Sequence, residues 1–102
     1  MKHTKQSTGG TSFHGHEVRA SVADLRKICG EPAYESNDGK DKTNYEWEME
    51  TESGAVFTIY DWKEYRPISE TEVIEWHIGS HGGVSSQQAM KEIYSALDNL
   101  EQ

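Results

Sequence analysis

A single cysteine, Cys29, stands among 102 residues, so no internal disulfide forms and no Cys-x-x-Cys pair is present to hold zinc. The chain has no apolar run long enough to span a bilayer and none with the shape of a signal-peptide core. Apolar residues make up only 33% of the sequence, which limits the core to a small one and makes pairing of chains an expected source of stability. Basic residues are scarce too. Ten Lys and Arg face 18 Asp and Glu, for a formal net charge of −8. That balance argues against a nucleic-acid polymer or an anionic membrane as partner, because both reward a net basic surface. It leaves room for a local basic site that takes a small anion. The cytosol is the expected compartment.

What the sequence does have is aromatic rings, patterned strands and two helical stripes. Three Trp, five Tyr and two Phe partly make up for the shortage of aliphatic residues, since each ring buries a large area. Residues 1–12 are polar and show no apolar period, so they read as a disordered tail, with a single α+β domain over 13–102. A strand is expected from Phe13 through Val18. Ser21 and Asp24 form a variant of the capping box, Val22, Leu25, Ile28 and Cys29 share one helical face, and Gly30 with Pro32 ends that short helix. Asn37 to Lys42 reads as an exposed turn.

Alternation then marks a hairpin. Tyr45, Trp47 and Met49 interleave with Glu46, Glu48 and Glu50, Glu52-Ser53-Gly54 turns the chain, and Ala55 to Asp61 returns. Val73 to Ile78 is a further strand, with Glu75 and His77 pointing away from Ile74, Trp76 and Ile78. Gly79 to Gly83 reads as a glycine-rich loop. Ser85 and Gln88 form a capping box that opens the last helix, whose stripe is Met90, Ile93, Leu97 and Leu100. The expected architecture is an antiparallel sheet of four to five strands, with one short helix and one long C-terminal helix packed on one face.

Four groupings could carry chemistry. The run Tyr60-Asp61-Trp62-Lys63-Glu64-Tyr65-Arg66 puts aromatic faces beside cationic groups, the pairing that a nucleotide-like ligand requires. Its plain structural reading is a strand end with solvated charges. The loop from Ile78 to Gly83 could turn backbone N–H groups, those of Gly82 and Gly83 among them, toward an anion at a helix start, though it matches neither GxGxxG nor a P-loop. It also serves as an ordinary strand-to-helix connection. The pairs His14, His16 and His77, His81 could in principle bind zinc, but no carboxylate or cysteine partner is fixed by spacing, so no metal is expected. Glu46, Glu48, Glu50 and Glu52 make an acidic stripe, either the solvated face of an edge strand or an imitation of nucleic-acid phosphates. No Ser–His or Cys–His arrangement is visible. Asp61, Glu64 or Glu75 beside His77 could act as acid and base, but nothing demands it.

The runs Tyr60 to Ile68 and Glu75-Trp76-His77-Ile78-Gly79, with Leu25 through Pro32 and Asn37 to Lys42 upstream, resemble a family of small proteins encoded by tailed bacteriophages. The likeness covers about Phe13 to Leu97. That family is similar in turn to phage sponge proteins, which bind the cyclic nucleotide signals of bacterial CBASS defence without hydrolysing them. The resemblance implies a cofactor-free homodimer or higher homo-oligomer in the host bacterial cytosol, with ligand at or near the subunit interface. It carries over no residue contacts. From the residues themselves the expected site is Tyr60, Trp62, Tyr65 and His77, with Lys63 and Arg66 for phosphate and Gly82 and Gly83 for backbone donors. The alternative is an acidic inhibitor of a host nuclease or CRISPR effector, working through the glutamate stripe. A metal-dependent phosphodiesterase comes third.

Overall fold

The computed structural model describes residues 1–100; residues 101–102, counted in the expected domain, lie outside the described residues. The alternating segments become strands β4 (Tyr45–Glu50), β5 (Val56–Tyr60) and β6 (Ile74–Ser80), preceded by β2 (Ser12–Ala20). Two further strands, β1 (Lys2–His3) and β3 (Tyr34–Glu35), are only two residues long. The helices are α1 (Val22–Cys29) and α2 (Gly83–Leu100). All strand pairings are antiparallel, in the order β1-β4-β5-β6-β2, with β3 also paired to β4. The molecule is therefore α+β, with the long C-terminal helix packed on the sheet across β2, β6 and β5 and touching α1.

Alternation in β4 decides which face is covered. Tyr45, Trp47 and Met49 lie buried against Phe57, Ile59, Trp76, Ile78 and the helices, while Glu46, Glu48 and Glu50 face the other way. The two core tryptophans meet edge to face at 5.5 Å. Each donates its indole N–H to a backbone carbonyl, Trp47 to Gly30 at 2.8 Å and Trp76 to Ala20 at 2.9 Å, so neither polar group is stranded in the core. Helix α1 is capped as its sequence predicts. The Ser21 hydroxyl accepts from the Asp24 N–H at 3.1 Å, and Gly30 closes the helix at φ 78°.

The N-terminal segment corrects the expectation of a disordered tail. Lys2 and His3 pair with Glu50 and Met49, and the His3 imidazole bonds the Cys29 carbonyl. Because β1 and β2 occupy opposite edges, residues 4–11 must pass from one side of the sheet to the other. Four strand spacings amount to about 19 Å, and eight extended residues reach roughly 26–29 Å. The segment makes this passage over the face without helices. Thr8 Oγ1 reaches Glu48 at 3.5 Å, Gln6 donates to the Gly54 carbonyl at 3.3 Å, and Thr11 lies beside Gly79. This strap explains why Val56 and Thr58 are buried although no helix covers them. A polar composition hid it from periodicity, since its anchors are hydrogen bonds rather than an apolar stripe.

The expected glycine loop is also revised. Gly79 and Ser80 belong to β6, the turn shrinks to His81-Gly82, and α2 begins at Gly83, two residues before the expected cap. Ser85 caps nothing through Gln88; its hydroxyl donates to the Gly82 carbonyl at 3.1 Å, as does the Ser80 hydroxyl at 2.7 Å. No helix among the described residues is long and apolar enough to cross a membrane.

Candidate functional site

The strap covers part of the helix-free face around Glu48, Gly54 and Gly79; the rest carries exposed aromatic rings. Strand register sets one transverse row on it. Tyr34 lies opposite Glu46, Glu46 opposite Tyr60, Tyr60 opposite His77, and His77 opposite Glu17. Side chains facing one another across a sheet approach to about 5 Å, so these five form a continuous strip. Phe13 stacks on His77 at 4.0 Å and 16°. Gly79, opposite Phe13, leaves room for the neighbouring strand, because a Cβ there would lie 2.6 Å from Thr58 Oγ1 and 3.3 Å from Tyr60. Tyr60 meets His77 edge-on at 5.6 Å.

Trp62 extends the strip past the end of β5. Its ring stands edge-on to Tyr60 at 6.1 Å and nearly parallel to His77 at 6.4 Å, and it is 42% exposed. Two ammonium groups sit over it, Lys63 Nζ at 5.4 Å and Lys42 Nζ at 5.8 Å from the centroid. The lysines come from different loops, which the Lys63 N–H joins by donating to the Lys42 carbonyl at 2.8 Å. Lys63 and Tyr65 hold left-handed φ values of 56° and 50°, a conformation costly for side-chain-bearing residues and kept only where surroundings enforce it.

Those surroundings are a buried polar hub. Asp61 and Asn44 are both fully buried. Asp61 accepts from the backbone N–H groups of Asn44 at 2.8 Å and Tyr45 at 2.9 Å, and from Asn44 Nδ2 at 3.0 Å. Asn44 Nδ2 also donates to the Arg66 carbonyl at 3.0 Å, and Asn37 exchanges two bonds with the backbone of Ile68. Gly39 lies so close to the second loop that a Cβ would fall 2.7 Å from Arg66 Cα. The turn from Asn37 to Lys42 is exposed at Asp38, Lys40, Asp41 and Lys42, as expected, but Asn37 and Gly39 anchor it against the Asp61–Ile68 loop. Asp61, weighed as an acid or base, is a structural strut.

Of the expected site residues, Tyr60, Trp62, Lys63 and His77 are brought together. Arg66 is engaged in an exposed ion pair away from the strip. Its guanidinium grips Glu72 through two bonds of 2.8 and 2.6 Å and lies 3.6 Å from Glu64, and the Glu72 bond raises its pKa while lowering that of Glu72. Tyr65 sits in the same loop, 53% exposed, in none of the ring contacts of the strip. Gly82 and Gly83 are at the far end of the sheet. Tyr60 is opposite His77, whereas Ser80 is opposite Phe57, so the Trp62 loop and the β6–α2 turn leave opposite ends of the strands. At the rise of a strand they are on the order of 20 Å apart and do not converge.

Sequence reasoning passed over Phe13, Tyr34, Lys42 and Glu46 as members of this site. For Glu46 a signal existed in its alternation with Tyr45 and Trp47; for Lys42 and Tyr34 nothing local indicated it. The glutamate stripe is not on an edge strand, because β1 and β3 both pair with the outer side of β4. Glu46, Glu48 and Glu50 are half-buried. Burial and then the charge of Glu48 push the Glu46 pKa up, and burial followed by Glu46 does the same to Tyr60. His77 is shifted down by burial, partly offset by Glu75, which favours the neutral ring. Glu17 is shifted up, first by sharing a hydrogen bond with Glu75.

The histidine pairs also separate. A bulge at Gly15, φ 88°, interrupts β2 between Phe13 and Glu17, sending His14 to the Ser80 carbonyl and His16 to the Ser86 hydroxyl at 3.0 Å. Among the described residues no group of three or more His, Cys, Asp or Glu could hold a metal ion. Cys29 is buried, which pushes its thiol up to about 12. A groove of about 370 Å³ lies elsewhere, bordered by Ile28, Glu52 and Glu92, and contains none of the strip residues. The aromatic strip is a surface rather than a cavity. Comparison with protein-family models, curated proteins and solved structures finds no match to this chain.

Proposed function

We propose that the chain binds and sequesters a small cyclic nucleotide without hydrolysing it, as a phage-type immune-evasion protein acting in the host bacterial cytosol. The observation that carries this reading is the Trp62 ring with Lys42 and Lys63 over it, held by the Lys63 N–H to Lys42 carbonyl bond. An ammonium resting on an exposed ring gains only about 0.5–1 kcal/mol. It moves readily to a phosphate, leaving the ring to a base, whose stacking on an aromatic side chain contributes about 1–3 kcal/mol. Tyr60, His77 and Phe13 continue the apolar surface beneath the rest of the ligand. In a protein of net charge −8, two lysines clamped together on one aromatic ring favour a compact anion over a long polyanion.

Ligand sites that hold tightly enclose most of the ligand surface, and this strip offers one wall. A second copy of the chain supplies the other in this account, making the binding unit a homodimer or higher homo-oligomer. The acidic-inhibitor alternative has less support, because Glu46, Glu48 and Glu50 of its four glutamates are half-buried and Glu48 is partly roofed by the strap. The two readings separate by mutation. Charge reversal of Glu46, Glu48 and Glu50 that abolishes function while Trp62→Ala leaves it intact overturns nucleotide capture. Heat denaturation of the loaded protein must release the nucleotide intact; recovery of cleaved product alone would make the chain an enzyme.

A further inference from the structure

The two edges of the sheet differ in how they are protected. The outer side of β4 is covered: β1 and β3 pair with it, and the carbonyls of Asn44, Glu46 and Glu48 accept from the Ser36, Ala33 and Thr4 N–H groups. The other edge is β2, nine residues long and paired, among the described residues, to β6 alone. In an antiparallel ladder every second residue turns its N–H and C=O away from the partner strand. Arg19 is such a residue, because its N–H donates to the Tyr94 hydroxyl at 3.3 Å and not to β6. Glu17, two positions earlier in unbroken register, is another. A strand edge with outward backbone groups is a template for a further strand. The Gly15 bulge disrupts this edge before Glu17, so its regular stretch runs from Glu17 to Ala20.

We propose that this stretch joins two copies of the chain, antiparallel about a twofold axis at Val18, with Glu17 of each copy opposite Arg19 of the other. In that register both outward-facing residues exchange their N–H and C=O groups with the second copy. Their side chains stand on the helix-free face, opposite His77 and Glu75, so each Glu17 carboxylate meets an Arg19 guanidinium across the new ladder. Arg19 has the capacity for this. It is exposed and holds Glu75 through one contact at 3.3 Å, which leaves most of its donors unused. Charge also fixes the register. Sliding the pairing by two residues sets Glu17 opposite Glu17 in one direction and Arg19 opposite Arg19 in the other, and like charges directly opposed are unfavourable. Tyr94 gives up the Arg19 N–H readily, since the bond is long and the ring is already 38% exposed. The two sheets become one, with all helices on one side and both aromatic strips on the other, open to a further copy. The pairing shares with the nucleotide reading only the expectation of associated chains, and it requires no ligand.

The test is sedimentation equilibrium of the full chain without nucleotide, where a concentration-dependent dimer is expected. Glu17→Arg and Arg19→Glu each turn both attractive contacts into repulsive ones, and each should weaken the dimer about tenfold or more. Mixed in equal amounts, the two variants should form a heterodimer of parental affinity, because the arginines of one then face the glutamates of the other. A chain carrying both substitutions should recover the homodimer for the same reason. Tyr94→Phe, which frees the Arg19 N–H, should leave the dimer as tight or tighter. Thermal midpoints close to the parental one confirm that the variants fold. A parent chain that stays monomeric overturns the pairing. So does a dimer indifferent to both single substitutions, or a weakening that neither mixing nor the double substitution repairs. Each of these results leaves nucleotide capture to be decided by its own titration.

Discussion

At the scale of single residues, the cations of the 61–67 loop have opposite fates. Arg66 pairs with Glu72 at the surface, whereas Lys63 and Lys42 rest on a ring from which a phosphate can draw them. Lys63→Ala and Lys42→Ala should each weaken cyclic nucleotide binding about tenfold, and Trp62→Ala by tenfold to a hundredfold, in line with the loss of one stacked base. Arg66→Ala should leave affinity nearly unchanged in the same titration. Cys29 gives a separate check on the core. Its buried thiol, raised to about 12, should stay unreactive toward a disulfide reagent at pH 8 in the native protein and react only on unfolding. Rapid labelling under native conditions would place α1 in a looser packing than its buried Val22 and Leu25 indicate.

At the scale of elements, the site depends on two loops that a buried hub locks together. Removing Asp61 leaves two backbone N–H groups and an amide without their acceptor, so Asp61→Ala should cost about 3 kcal/mol in denaturant unfolding. Gly39→Ala meets both a φ of 76° and a clash with Arg66 backbone, and should cost about 2 kcal/mol or more. In both variants ligand binding should weaken further than stability alone requires, because Lys42 and Lys63 lose their shared anchor. The period-two strands β4, β5 and β6 and the capped helix α1 were legible in the sequence, because alternation and a serine cap are local signals. The hub was not. Asn37, Gly39 and Asn44 look like turn residues, and only the fold brings them to Asp61 and Ile68. Strands of two residues have no period to read, which is why β1, β3 and the strap between β1 and β2 were missed. The expected convergence of the two loops failed on direction. A loop that follows β5 and one that follows the antiparallel β6 must leave opposite ends of the sheet.

At the scale of the whole molecule, the open face carries charges that the fold does not favour. Glu46 has a raised native pKa, so the folded state holds its proton more tightly than the unfolded chain does. Native stability therefore falls as pH rises from about 4.5 through the raised value. Glu46→Gln should raise the thermal midpoint at pH 7, and the gain should vanish below about pH 4.5, where the carboxyl is protonated in both states. His77 works in the opposite sense. Its lowered pKa makes its contribution complete above about pH 6.5 and lost as pH falls through the native value. A site that carries a destabilising carboxylate beside exposed aromatics is what a bound ligand and a second copy would relieve. The most direct test of the account is titration of the purified protein with cyclic dinucleotides, combined with analysis of the nucleotide recovered after heat release. Tight binding, lost in Trp62→Ala and retained in Arg66→Ala, with the ligand recovered intact, is the predicted result; no binding, or recovery of cleaved ligand, contradicts it.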